Sequence, residues 1–240
     1  MLDILTEIDK ICQKHNIRYW LIYGTVLGAV RHGGFIPWDD DLDIGVMRKD
    51  YRKLCKILKK ELPENLVFQD ASTEKYYPCS FAKVRDKQSI IVDPLWNSKI
   101  KEKGLYIDIF QFEKGFGWLK KILDFFYINI FMRKQHHIKS GNFIRIIANF
   151  CWYPFLAVLG FARFFLQIIP SKYIILSYGA SYYKPIKRQD LFPLKSILFE
   201  GKTFFAPGNI DSYLKTIYGD YMQIPPESKR EIHSTSIEFL

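Results

Sequence analysis

Between residues 114 and 188 the chain has almost no negative charge: Asp124 stands against twelve Lys and Arg, a net of +11. The remainder carries 23 basic and 24 acidic residues, so the whole +10 excess of this 240-residue sequence lies in that one stretch. Cysteine is scarce too. Cys12, Cys55, Cys79 and Cys151 are scattered without a CxxC pair, which speaks against a zinc site or a disulfide frame and fits reduced thiols in a cytosolic setting. No low-complexity tract or internal repeat is present. Met1-Leu2-Asp3 opens an acidic amphipathic helix and not the basic-then-apolar leader of a secreted protein. The longest apolar run, Ile146 to Ala162, is 17 residues broken by Asn149, slightly short of the roughly 20 residues a membrane span needs.

What is present divides the chain in three. With 48% hydrophobic residues it has ample material for a core and reads as one large domain, or one domain with a lobe. The basic stretch also holds 18 of the 40 aromatic residues. A basic, aromatic protein invites an RNA-binding reading, but here the charge is confined to an apolar segment and no RRM, KH or zinc pattern occurs. No nucleic-acid partner is expected.

The strongest local pattern is Phe35-Ile36-Pro37-Trp38-Asp39-Asp40-Asp41-Leu42-Asp43-Ile44-Gly45. Leu42, Ile44 and Val46 share one face of a strand, which leaves Asp41 and Asp43 on the other. Two carboxylates on one pleat face repel unless something positive stands between them, such as a hard divalent cation. A calcium loop of the EF-hand type fails, because counting from Asp39 puts Ile44 where Gly is needed and Asp50 where Glu is needed. Upstream, Leu21-Ile22-Tyr23-Gly24-Thr25 reads as a strand and glycine turn leading into a helix, a geometry that seats phosphate on backbone N–H groups. A phosphate seat beside metal carboxylates suggests phosphoryl or nucleotidyl transfer.

The run from Gly24 to Gly45 resembles the signature of the LicD family, phosphotransferases of bacterial cell-surface glycans related to the fukutin proteins. Tyr106-Ile107-Asp108-Ile109-Phe110 is similar to the family's later Asp-hydrophobic-Phe strand. Phe199-Glu200-Gly201-Lys202, Tyr218-Gly219-Asp220-Tyr221-Met222 and Pro225-Pro226-Glu227 resemble its C-terminal signature. The resemblance implies an α/β, nucleotidyltransferase-like fold: a mixed sheet of about five strands flanked by helices. Residues 1–113 and 195–240 form its catalytic core, and 114–194 a helical, apolar and basic insertion. Strands are expected at 19–23, 41–47, 66–69, 79–85, 89–92 and 105–110, a hairpin turning at Gly201, and helices at 2–16, 25–32, 49–61 and 210–218. The insertion reads as helices at 116–135 and 143–169, with a third over 172–183.

The resemblance also implies roles. Asp41 and Asp43 hold Mg2+ (or Mn2+) that bridges donor phosphates, and Asp108 completes the carboxylate set and accepts the proton of the attacking hydroxyl. Gly24 and Thr25 meet phosphate oxygens. Arg31 and, behind it, His32 pair with phosphate or with the acidic run, and Lys83 and Arg85 clamp the nucleotide phosphates. Trp38 stacks on the donor or forms a cation–π wall for a quaternary ammonium. Asp39 and Asp40 support the ligands or cap the loop, while Lys229, Arg230 and His233 are placed on the acceptor side. The implied reaction moves a phospho-alcohol group, phosphocholine from CDP-choline in the type case, onto a sugar hydroxyl of a surface glycan or its lipid-linked precursor. The alternative moves a nucleoside monophosphate. The acceptor pathway (lipopolysaccharide, teichoic acid or capsule) is left open. For the insertion the expectation is a hairpin lying on the cytoplasmic membrane surface, with a buried cap as the other reading.

Overall fold

The structure, a computed structural model, describes residues 1–75, 77, 79–92, 100–134, 142–177, 184–230 and 236–240. Helix α1 (Leu2–Lys14) turns Ile4, Leu5, Ile8, Ile11 and Cys12 inward, the spacing one face of a 3.6-residue helix requires. Strand β1 (Tyr19–Leu21), helix α2 (Tyr23–His32), strand β2 (Asp43–Met47) and helix α3 (Arg48–Glu61) follow. Strands β3 (Leu66–Gln69), β4 (Ala82–Asp86), β5 (Ser89–Val92) and β6 (Tyr106–Lys114) complete the first half.

The sheet runs β1-β2-β6-β4-β3. Only β2 and β6 are parallel; the other pairs are antiparallel. Alternation sorts its faces. Ile44, Val46, Val84, Ile107 and Ile109 are buried on the side packed by α1 and α3. The other side carries Asp43, Lys83 and Asp108, with Gly45 admitting Trp20 and Phe112 farther along.

The insertion is two long helices, α4 (Gly117–Lys134) and α5 (Asn142–Ile168), and α5 runs through Pro154 without a break. The third helix expected over 172–183 is corrected: Tyr173–Leu176 is strand β7, which extends the sheet by pairing with Phe112, Glu113 and Lys114 of β6. A short strand β8 (Ile186–Lys187) adds to β7, making seven strands where about five were expected. Helix α6 (Arg188–Leu191), the hairpin β9 (Lys195–Phe199) and β10 (Lys202–Ala206), and helix α7 (Ile210–Tyr218) return to the core, and β11 (Ser236–Phe239) pairs with β5. With its seven helices among the described residues, the fold is the expected α/β mixture.

The insertion is fastened to the sheet through polar groups. Buried Glu113 receives Arg48 of α3 at 3.0 Å, Arg163 of α5 at 3.0 Å and the Ser177 hydroxyl at 2.9 Å. A carboxylate so buried is stable only with this kind of hydrogen-bonded compensation. Lys120 and Asp124 of α4 form a second buried pair beneath the helix.

Candidate active site

Register across three strands builds the centre of the site. Asp43, the first residue of β2, lies beside Asp108 of the parallel strand β6, and Asp108 lies beside Lys83 of β4. The polar row ends at Gln69 of β3. All four side chains are buried. The Lys83 ammonium bonds to the Asp108 carboxylate and stands 3.6 Å from the centroid of the Tyr106 ring, a cation–π contact that helps hold a desolvated charge.

The electrostatics are dominated by crowding. Burial pushes the Asp43 carboxyl well above its usual range, and the neighbouring carboxylates of Asp41, Asp108 and Asp39 push it further, while Lys83 opposes them. Burial raises Asp108 likewise, with Lys83 and Arg85 pulling it back and Asp41 adding to the rise. Lys83 and Arg85 are thus cations that act on Asp108 within a group of carboxylates. Among the described residues no three His, Cys, Asp or Glu side chains stand close enough to form a metal cage as they are. Lys83 takes the place of a cation beside Asp108. In charge and in donor type the row nevertheless fits a divalent ion: the donors are hard oxygens, and a second cation would relieve Asp41 and Asp43.

The backbone around Asp43 is fixed at every point. Its N–H donates to the Thr25 hydroxyl at 2.8 Å, and its carbonyl accepts from Ile22 at 3.2 Å. The Asp108 N–H donates to the Leu42 carbonyl at 2.9 Å. Thr25 is therefore buried and committed to positioning Asp43. Gly24 has a comparable part: a β-carbon there would lie 2.5 Å from an Asp39 carboxylate oxygen, so the group this glycine admits is Asp39. Just before them, Tyr23 opens α2 at φ 47°, a left-handed conformation costly for an aromatic residue. Its N–H donates to the buried Tyr213 hydroxyl at 3.4 Å.

Arg85 is placed otherwise than as an open phosphate clamp. Strand β4 lies inside the sheet, and Arg85 is buried, bonded to Gln69 at 2.6 Å and the Gly104 carbonyl at 2.7 Å, over the Tyr106 ring. It supports the row by its charge and by fixing Gln69. Arg31, His32 and Trp38 form a second cluster with the C-terminal segment. Arg31 donates to the Tyr221 carbonyl at 3.0 Å, and His32 meets the Trp38 ring edge-on. The Arg230 guanidinium lies 4.2 Å from the Trp38 centroid. The cation–π capacity foreseen for a ligand is thus engaged by the chain's own arginine. His233 lies outside the described residues.

Glu200 was named only within a motif, and it proves central to the loop. The two-residue turn Glu200-Gly201 has φ of 50° and 73°, the pattern of a type I′ hairpin. It presents the Glu200 carboxylate to the Phe35 N–H at 2.9 Å, while the Glu200 N–H donates to the Gly33 carbonyl at 3.1 Å. A β-carbon on Gly34 would lie 1.9 Å from that carboxylate. Gly34→Ala and Glu200→Ala are therefore expected to cost similar stability, about 1–3 kcal/mol each, and to be strongly non-additive when combined. Glu200→Gln should retain most of it. Urea unfolding of the four variants checks this, and additive losses would show that the turn and the loop act separately.

The LicD/FKTN/FKRP nucleotidyltransferase domain matches residues 16–156, which contain the whole carboxylate row. The chain is 28% identical over 256 aligned positions to the lipopolysaccharide cholinephosphotransferase LicD of Haemophilus influenzae, covering 97% of this chain and 92% of that protein. It is 48% identical over 40 residues to the ribitol 5-phosphate transferase FKRP of human and of mouse, covering 17% of this chain and 8% of theirs. By these matches the chain is a phosphotransferase and belongs to the LicD/FKTN/FKRP nucleotidyltransferase-domain family.

Proposed function

We propose that the protein transfers a phospho-alcohol group, phosphocholine from CDP-choline in the first instance, to a sugar hydroxyl of a surface glycan or its lipid-linked precursor. The observation that carries this reading is the row Asp43, Asp108 and Lys83 across adjacent strands, with Asp41 in electrostatic reach of both carboxylates. Asp41 and Asp43 are the hard-oxygen donors for Mg2+, with Mn2+ as a substitute, and Asp108 joins them from β6. When bound, such an ion neutralises charge that builds on the transferring phosphate and on the departing nucleotide.

The remaining work falls to the chain. Thr25 fixes the Asp43 backbone and Asp39 packs on Gly24, so the rim of the row is set before a donor arrives. Asp108, held beside Lys83, takes the proton of the acceptor hydroxyl as its oxygen attacks the β-phosphorus. The bond between that phosphorus and the bridging oxygen breaks, and CMP leaves with the electron pair. Attack on the α-phosphorus would instead transfer CMP and release phosphocholine.

The test is incubation with a glycan acceptor and a panel of CDP-choline, CDP-ribitol and CDP-glycerol, with Mg2+ or EDTA. Release of CMP with one donor, dependent on the metal, is expected. Joining of the nucleotide to the acceptor would establish the nucleotidyl reaction. Manganese binding followed by electron paramagnetic resonance reads the metal site without turnover; unchanged binding by Asp43→Asn would remove Asp43 from the ligand set.

A further inference from the structure

Helices α4 and α5 have their polarity reversed. The charged side chains of Lys120 and Asp124 are buried beneath α4, while Trp118, Ile122 and Phe125 are exposed on its outside, Trp118 to 65%. On α5, Phe143, Ile147, Phe150, Phe161, Phe165 and Ile168 stand exposed at spacings of three, four and seven residues or their sums, Phe150 to 79%. Arg163 on the same helix turns inward to Glu113. The segment Ile146–Phe165 has the length and hydropathy of a membrane-crossing helix, yet only 17% of that window is buried in the protein. Water penalises such a surface, and contiguous exposed apolar area of this extent marks a contact face.

The root of this hairpin is basic. A cavity of about 500 Å³ between α3 and α5 is lined by Arg48, Lys49, Arg52, Gly160, Arg163 and Phe164. It adjoins a larger one of about 1490 Å³, which shares Lys49 and adds Lys172, Lys187 and Arg188. Among the described lining residues of the larger cavity only Asp50 is acidic. Phe164 stands over the smaller cavity, so apolar and cationic surface meet at one edge.

We propose that this edge is a lipid-docking surface: the outer stripes of α4 and α5 enter the interfacial layer of an anionic bilayer, and the basic cavities at their root receive lipid phosphates. Charge complementarity selects a bilayer over a second copy of the chain. A copy would bring the same positive cavities, whereas anionic headgroups supply the missing sign next to an apolar layer. The proposal is independent of the transfer chemistry, because its readout is binding to lipid.

The full chain is mixed with neutral phosphatidylcholine vesicles, and with vesicles containing phosphatidylglycerol, and sedimented. Binding only to the anionic vesicles is expected, with release by alkaline carbonate. Trp118 fluorescence should be quenched by brominated acyl chains, and Trp118→Phe should remove that component. Combining Lys49→Gln, Arg52→Gln and Lys172→Gln should weaken binding about a hundredfold, roughly fivefold per charge. Phe150→Ser with Phe161→Ser, both at exposed positions, should weaken it at least tenfold while the protein stays folded by circular dichroism. Equal binding to neutral vesicles, no binding, or carbonate resistance would each overturn the proposal. So would a dimer in lipid-free buffer whose Trp118 is already shielded.

Discussion

Asp43→Asn is expected to abolish transfer, with a loss of at least about a thousandfold, and to leave the protein as stable as before or more so. The two effects share one cause. Asp43 is a buried carboxylate pushed well above its usual range by burial and by Asp41 and Asp108. Its charge is therefore a cost to the folded state. Asparagine keeps the shape and the backbone bond to Thr25 but drops the charge. The pH dependence follows from the direction of the shift. The folded state holds the Asp43 proton to higher pH than the unfolded chain, so stability contributed by this group is present at low pH. That stability is lost as pH rises through the folded-state value. Urea unfolding in EDTA over pH 4 to 8 should show this decline in the wild type and less of it in Asp43→Asn. A variant that keeps near wild-type activity at saturating Mg2+, or one that is strongly destabilised, would refute the assignment.

Lys83→Met should produce the largest loss of stability, about 3–5 kcal/mol, because it leaves the Asp108 carboxylate buried without its partner. Adding Asp108→Leu should recover most of that loss and none of the activity. Chemical denaturation of wild type, both single variants and the double variant closes the cycle. If Lys83→Met costs under about 1 kcal/mol, the ion pair is not what holds Asp108 in place, and a cation from solution already shares the work. Combined with the Asp43 result, the cycle separates the two charges of the row: one maintained against stability, the other required for it.

The sequence displayed the parts of this site more clearly than their partners. The alternation of Leu42, Ile44 and Val46 marks β2 and its inward face because a period of two is a local signal. The same reasoning isolates Asp108, a charge between Ile107 and Ile109. That Asp43 and Asp108 fall side by side is a matter of parallel pairing, which no local pattern encodes. Lys83 and Arg85 show the limit from the other direction. Their shared pleat face was legible, but a solvated strand and an interior one carry the same alternation, and only the pairing with β3 and β6 makes β4 interior. Tyr173-Ile174-Ile175-Leu176 reads as helix in the sequence because four apolar residues fit either period; the free edge of β6 beside Phe112 and Lys114 decides for a strand. Thr25 and Gly24 were found by their turn chemistry, yet their closest partners are Asp43 and Asp39, groups of the chain itself.

The register of β2 on β6 has a consequence for how the protein is made. Asp43 and Asp108 lie 65 positions apart, and the turn that ties Phe35 in place comes only at Glu200. On a translating ribosome the carboxylates of residues 39–43 emerge long before either. A parallel pair with so wide a separation closes slowly, so the acidic segment spends much of synthesis as an ordinary solvated stretch, its charges cheap and its site absent. The pairing that sets Asp43 beside Asp108, and the turn that holds Phe35, can form only once residues 108 and 200 have been made.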